Sequence, residues 1–276
     1  MYTLNCAGKL LQLDKPAIMG IINTTPDSFY SGSRQAEKDA ALRLAEKMIT
    51  EGAAILDLGG QSTRPGSDML SADEEATRVI PVLEAIRQQF PDIILSIDTF
   101  YSKVAEEAAA AGAGIVNDIS AGQIDPLLLP TVSRLKLPYV AMHMQGRPKE
   151  MQKQPQYENV TREVLDFFIG FSEKLKELGI DEWVIDPGFG FGKTISHNFE
   201  LIHNLELFQM LNRPVLMGIS RKSTIYKTLN ITPEAALNGT TVLHTIGLTK
   251  GVNILRVHDV KEAVETMILV EKCEIV

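Results

Sequence analysis

Residues 93–120, IILSIDTFYSKVAEEAAAAGAGIVNDIS, decide the fold. Two β-rich apolar runs, 93–99 and 114–120, bracket an alanine-rich segment of helical composition. Neither run alternates cleanly between apolar and polar residues, as expected of parallel strands covered on both faces. Both end in polar residues, Asp98 in SIDT and Asn117 in NDIS.

The same rhythm extends in both directions. Similar runs cover 17–23, 53–60, 138–144, 182–188, 214–220 and 254–260, which makes eight in all. Helix-like segments lie between them. Over 34–51, Ala41, Leu44, Ala45 and Met48 share one face; farther on, Leu165, Phe168, Phe171, Leu175 and Leu178 form another stripe. Ser71 and Glu74 have capping-box spacing, and Pro81 is expected to kink or split the helix they open. Eight strand-then-helix units predict a (β/α)₈ TIM barrel of the α/β class, with the first dozen residues left over as a small N-terminal cap. An open doubly wound sheet is the alternative. No tandem repeat or Gly/Ser-rich linker interrupts the pattern, so residues 1–276 are read as one domain.

Composition bounds the function. With 45% hydrophobic and 22% charged residues the chain can bury a sizeable core. A formal charge of −8 argues against nucleic acid or an anionic membrane as a partner. Cys6 and Cys273 are far apart and lack metal-ligand spacing. With no signal-peptide pattern and no apolar run approaching about 18 residues, a cytoplasmic protein is expected.

In a barrel of this kind functional residues gather where strands end. The first run ends in Asn23 and leads into TTPDSF; the second carries Asp57 and leads into GGQSTRPG. The sixth reads IDPGFGFGK with Asp186, the seventh ISRKS, and the eighth RVHD. Asp or Asn at such a position often caps the next helix, and Asp57 fits that role or a supporting one. Asp98, Asn117 and Asp186 lie within or at the edge of apolar runs, where alternate side chains point into the barrel mouth. Two carboxylates and a carboxamide there suit a flat heterocycle bearing ring N–H and exocyclic NH₂ groups. Arg64, Arg221, Lys222, Arg256 and His258 read as an anion site beside it.

GFGFGK fails as a P-loop, because Pro187 stands where the first glycine is needed, and fails as G-x-G-x-x-G, because Lys193 takes the third glycine's place. It is read as a flexible turn that lets Phe191 reach the pocket. His143 at the end of the fifth run could serve acid/base chemistry or structure, and His197, His203 and His244 are read as helix or loop residues. No nucleophile elbow or H-E-x-x-H spacing is present.

With these residues placed, the chain resembles the dihydropteroate synthase family of pterin-binding barrel enzymes along nearly its whole length. GIINTTPDSF, GGQSTRPGS, DPGFGFGKTISHN, GISRKS and ILRVHDV match the family's signatures in order. The resemblance implies a transferase of folate biosynthesis that condenses 6-hydroxymethyl-7,8-dihydropterin diphosphate with 4-aminobenzoate, giving 7,8-dihydropteroate and pyrophosphate. It implies that Asp98, Asn117, Asp186 and Lys222 bind the pterin, with Met142 and Phe191 lining the pocket and Arg256 stacking on the ring. Arg256, His258, Thr63 and Asn23 would hold the diphosphate, Asn23 as a Mg²⁺ ligand. Phe29, Pro65, Phe191, Lys222 and Ser223 would frame the aminobenzoate, and loops carrying Asp27 and Arg64 would close over the site. The C–O bond is implied to break before the amine attacks, with Asp98 and Asp186 stabilising the cation. A homodimer through helices of the later half and a sulfonamide target are implied as well.

The chain departs from the family pattern at Thr24, at Tyr30 and Ser31, and at Gln61, which replaces a common Glu; none of these removes a ligand. Two rivals keep part of the pattern. A methyltransferase moving a methyl group from methyltetrahydrofolate to a corrinoid protein would need no diphosphate clamp. A silent pterin-binding paralogue would be expected to lose loop residues, yet Asn23, Asp27, Arg64, Lys222 and Arg256 are all present.

Overall fold

The chain begins with a β-hairpin, β1 (Thr3–Cys6) and β2 (Lys9–Gln12), turned through Ala7 and Gly8, both at positive φ, as a two-residue hairpin turn requires. Leu4, Cys6 and Leu11 point inward from it. The short cap expected from sequence is therefore a folded element. Burial pushes the Cys6 thiol up to about 12, which makes it a packing residue.

A strand and helix alternation follows. In order come β3 (Ala17–Asn23), α1 (Arg34–Thr50), β4 (Ile55–Gly59), α2 (Ala72–Gln89), β5 (Ile94–Asp98), α3 (Ser102–Ala110), β6 (Ile115–Asp118) and α4 (Leu128–Leu135). Then come β7 (Tyr139–Met142), α5 (Val160–Glu177), β8 (Trp183–Asp186), α6 (Ile195–His203), β9 (Leu216–Met217), α7 (Ser223–Leu229), α8 (Leu237–Thr249), β10 (Ile254–Val257) and α9 (Val260–Cys273). This computed structural model describes residues 1–24, 34–61, 69–146 and 155–273.

Strands β3 to β10 form one parallel eight-stranded sheet in the order β8-β7-β6-β5-β4-β3-β10-β9. A parallel bridge from Ile185 to Val215 joins its two ends. The order follows the chain around the ring, so the doubly wound alternative falls and the barrel stands.

Side chains alternate along each strand. Met19, Ile55, Ile94, Ile115, Val140, Val184, Leu216 and Ile254 form an apolar floor inside the barrel, and the hairpin packs against it from below. Residues between the inward ones face the helices, where Leu56, Leu58, Leu95, Ile97 and Val116 join the main core. Two positions above Ile55, Ile94, Ile115, Val184 and Ile254 the interior turns polar, with Asp57, Ser96, Asn117, Asp186 and Arg256.

Helix α2 runs unbroken through Pro81, so of the expected kink or split the split does not occur. Pro81 and Thr77, whose carbonyl loses its donor to the ring, both lie on the exposed face, while Val79, Val82, Leu83 and Ile86 anchor the buried one. The Ser71–Glu74 capping box forms as read, with Ser71 N–H donating to Glu74 Oε2 over 2.9 Å.

Glu75 on the same helix is fully buried, and neither carboxylate oxygen makes a hydrogen bond among the described residues. Burial raises its pKa to about 7, with the nearby Thr99 and Gln61 side chains opposing. The folded state therefore binds this proton more tightly than the unfolded chain. Stability from this group is present near pH 4 and is lost as pH rises through about 7. Glu75→Gln should raise the unfolding free energy at pH 8 relative to the parent and bring little change at pH 4, as read by denaturant titration at both values.

Candidate functional site

The polar tier inside the barrel follows from the floor by strand geometry alone. Two residues above Ile55 stands Asp57, and the same step leads from Ile115 to Asn117, from Val184 to Asp186 and from Ile254 to Arg256; Asp98 lies one step higher on β5. Strand register sets Asp98 beside Asn117 and Met142 beside Asp186.

Arg256 ties this tier together. Its Nε donates to Asp57 Oδ2 over 2.6 Å and its terminal nitrogen to Asp98 Oδ2 over 2.6 Å. Asn117 Nδ2 donates to the same Asp57 oxygen over 2.9 Å. Asp57, left open by sequence between capping and support, thus holds both Arg256 and Asn117 from a fully buried position. Burial pushes the Asp98 carboxyl above its usual range, with Arg256 opposing and the Asp57 and Asp118 charges reinforcing. The same carboxylates hold Arg256 firmly protonated despite its burial.

The second half of the tier joins Asp186, Lys222 and Phe191. Asp186 Oδ1 accepts from the Gly188 N–H over 2.7 Å, and burial raises its pKa, opposed chiefly by Lys222. Lys222 Nζ donates to the Phe189 carbonyl over 2.7 Å and lies 4.5 Å from the centre of the Phe191 ring. Burial lowers the Lys222 pKa to about 8. Phe191 packs with Phe100, Ile119 and Met142 in a small apolar cluster apart from the main core. Flat apolar surface therefore lies against the carboxylates.

The glycine-rich turn, read from sequence as flexible, is closely packed and hydrogen-bonded. Gly188, Gly190 and Gly192 all have positive φ, and a Cβ on Gly188 or Gly192 would strike the carbonyl oxygen of His143 or of Gln145. Lys193, absent from the expected site, locks the turn. Its buried ammonium donates to the carbonyls of His143 (3.2 Å), Gly188 (3.0 Å) and Phe191 (3.1 Å), and lies 3.0 Å from His143 Nδ1. Burial, with Lys193 reinforcing, lowers the His143 pKa to about 3. His143 is a neutral structural acceptor.

On the anion side, Ser220 and His258 meet at 3.0 Å, and Ser223 opens α7 directly after Lys222. Asn23 closes β3 and pairs in register with Gly59, which pairs with Asp98. Arg221 does not join this cluster as the sequence suggested. It grips Asp259 through two nitrogens (2.7 and 2.9 Å) and the Pro233 and Glu234 carbonyls, so it fastens the loop before α8. Asp27, Phe29, Thr63, Arg64 and Pro65 lie outside the described residues.

Gln61, the departure from Glu, anchors the base of the second loop. Its amide donates to the Leu70 carbonyl and accepts from the Leu70 N–H, both over 3.1 Å. A carboxylate could only accept there. Asp118 also escaped the sequence reading: it points away from the barrel interior, accepting from Tyr139 Oη (2.7 Å) and from the Ser120 and Gly122 amides. Only the NDIS string hinted at it.

Lys193→Met preserves bulk but removes the donor from three buried carbonyls. The unfolding free energy should fall by about 2–4 kcal/mol, at the usual cost of unsatisfied buried groups. Denaturant titration beside the parent checks this; no loss would mean that the lysine is not a clamp.

Known proteins share this sequence pattern and fold. Residues 19–258 match the family described as pterin binding enzymes. The dihydropteroate synthase of Escherichia coli K12 is 45% identical over 266 residues, 96% of this chain and 94% of the relative. A Yersinia pestis dihydropteroate synthase, solved in a sulfonamide drug complex, superposes with a TM-score of 0.93 at 42% identity over 99% of each chain. The Xanthomonas albilineans dihydropteroate synthase in complex with 7,8-dihydropteroate gives a TM-score of 0.90 at 37% identity over 100% of both chains. With that identity along its whole length, and with the carboxylates, carboxamide and lysine of the expected pterin site gathered in one polar tier, the chain belongs to the dihydropteroate synthase family of pterin-binding enzymes.

Proposed function

We propose that this enzyme joins 6-hydroxymethyl-7,8-dihydropterin diphosphate to 4-aminobenzoate, releasing pyrophosphate and 7,8-dihydropteroate. The observation that carries the reading is the tier of Asp98, Asn117 and Asp186 beside Lys222, buried over an apolar floor and flanked by Phe191 and Met142. Its acceptors suit the N–H and NH₂ edge of a pterin. Asn117, its Nδ2 committed to Asp57, keeps a carbonyl oxygen for that edge.

In the reaction the C–O bond to the diphosphate breaks and its electron pair leaves with pyrophosphate. The aniline nitrogen then forms the C–N bond and loses a proton. Asp98 and Asp186 stabilise the positive charge that builds on the pterin methylene, and their fixed hydrogen bonds mean little reorganisation is needed. Arg256 stacks on the pterin ring and, with His258 and Thr63, receives the diphosphate. Lys222 and Ser223, at the start of α7, take the aminobenzoate carboxylate, where a helix N-terminus favours negative charge. Phe29, Pro65 and Phe191 frame its ring, and Asp27 and Arg64 act from the first two loops.

Asn23 is the proposed Mg²⁺ ligand. No group of three His, Cys, Asp or Glu able to hold a metal occurs among the described residues. A single amide oxygen nevertheless fits Mg²⁺, which keeps several waters and binds through substrate phosphates. When bound, the ion would offset charge on the departing pyrophosphate.

A homodimer in the cytoplasm is part of the proposal. Leu229 of α7 and Val242 and Ile246 of α8 supply exposed apolar surface on the later half. No described helix is long and apolar enough to cross a membrane.

Mixing the enzyme with the pterin diphosphate, 4-aminobenzoate and Mg²⁺ should release pyrophosphate in step with dihydropteroate. Methyl transfer from methyltetrahydrofolate to a corrinoid protein, without pyrophosphate release, would replace this reading with the methyltransferase one; binding without turnover would favour a silent paralogue. Asp98→Asn and Arg256→Ala should each lower kcat/KM by roughly 10²-fold or more, and intact turnover in both would refute the assignment.

Lys222 sets a pH limit. With its pKa at about 8, the free enzyme loses this cation above that pH, so kcat/KM for the pterin substrate should fall on the alkaline side. Lys222→Arg should remove that limb; Lys193, whose pKa burial lowers to about 7, titrates in both enzymes and cancels when their pH profiles are compared.

A further inference from the structure

The parallel register of β9 and β10 places Met217 beside Leu255, and Ser220 and His258 each stand three residues beyond that pair. The two side chains meet there, with Ser220 Oγ 3.0 Å from His258 Nδ1. The backbone N–H of His258 also donates to Ser220 Oγ, over 3.3 Å. Ser220 is buried, whereas His258 reaches the exposed mouth.

A serine hydroxyl has one proton and two lone pairs. One lone pair of Ser220 is engaged by the His258 backbone N–H. Among the described residues the hydroxyl proton has a single acceptor within reach, the Nδ1 of the same histidine. If Nδ1 carried the ring proton, the serine would accept twice and its own buried proton would have no partner. The satisfied arrangement is O–H to Nδ1, with the ring proton on Nε2, and the nitrogen not bonded to the protein is the one that acts outward.

We propose that Ser220 is a positioning residue, holding His258 as the Nε2–H tautomer so that a neutral imidazole presents a donor, rather than a lone pair, to the diphosphate of the pterin substrate. This rests on the reading of His258 as a diphosphate ligand. The surrounding charges make the tautomer matter. Although the residue is exposed overall, desolvation where its ring meets the protein and the Arg256 cation lower the His258 pKa below the usual imidazole value, with Arg221 and Lys222 adding to the effect and Asp259 opposing it. In the free enzyme at neutral pH the ring therefore has one proton to place, and the wrong placement would turn an acceptor toward an anion.

The deciding measurement is ¹⁵N NMR of histidine-labelled protein at pH 7.5, with the His258 signals assigned by their loss in His258→Gln. Nδ1 of His258 should carry the shift of an unprotonated, hydrogen-bonded nitrogen and Nε2 that of a protonated one. Ser220→Ala should move both shifts toward a mixture of tautomers. It should also raise the Kd for the pterin diphosphate roughly tenfold, the equivalent of one ordinary hydrogen bond, while leaving the Kd for 6-hydroxymethylpterin, which lacks the diphosphate, unchanged. Ser220→Thr, which keeps a hydroxyl, should restore the parent shifts.

A protonated Nδ1 in the parent would overturn the proposal even if Ser220→Ala did not fold. So would shifts that ignore Ser220→Ala, or shifts that move while diphosphate affinity does not. Parent turnover separately tests the underlying activity, so loss of that reading would show as absent pyrophosphate release and not as a tautomer result.

Discussion

Arg256 is the only described cation that bridges two carboxylates of the barrel interior, and the order of the polar tier depends on it. Taking its guanidinium and the Asp57 and Asp98 carboxylates out of water costs several kcal/mol per ion, which short charge-assisted hydrogen bonds must offset. The 2.6 Å contacts to both carboxylates provide that offset and fix the geometry. Asn117 then takes its orientation from Asp57. Without the guanidinium, two acidic side chains would face each other in a buried space, and the more easily protonated one would neutralise. The apolar floor matters for the same reason: it keeps the lower barrel packed and dry, so the ionic groups interact in a medium that weakens them little.

Around this centre the protein uses lysines in two ways. Lys222 stands on the pocket side of the glycine-rich turn, bonded to the Phe189 carbonyl and lying over the Phe191 ring. Lys193 gathers the Gly188 and Phe191 carbonyls of the same turn together with that of His143 at the end of β7. The turn is thus held by two lysine Nζ donors, and its glycines permit the positive φ and close backbone contact that this geometry needs. The pocket wall carrying Phe191 is held by hydrogen bonds as well as by close packing.

Much of this was legible in the sequence. Eight apolar runs lacking strict alternation carried the barrel, because strands covered on both faces need apolar residues at successive positions. Asp98, Asn117 and Asp186 stood out as polar interruptions in those runs, and the branched aliphatic floor residues two positions below Asn117 and Asp186 and four below Asp98 explain why they point inward. The motif order along the chain identified the family, which the relatives then established. The hairpin nature of the first dozen residues was not visible, since its strands are only four residues long and gain stability from the barrel floor they cover.

The sequence by itself determined the strand and helix order, the barrel, and which strand ends bear polar groups, because these follow from local periodicity and from residue type. Partner choice belongs to the tertiary structure. Arg221 and Arg256 are both arginines at strand ends, yet one holds a surface loop through Asp259 and the other binds Asp57 and Asp98 inside the barrel. Lys193 and Lys222 divide in the same way, and Ser220 meets His258 across 38 residues of chain only because β9 and β10 are neighbours in register. Closing the barrel brings together side chains far apart in the chain, and burial then requires each polar group to find the partner that geometry leaves within reach.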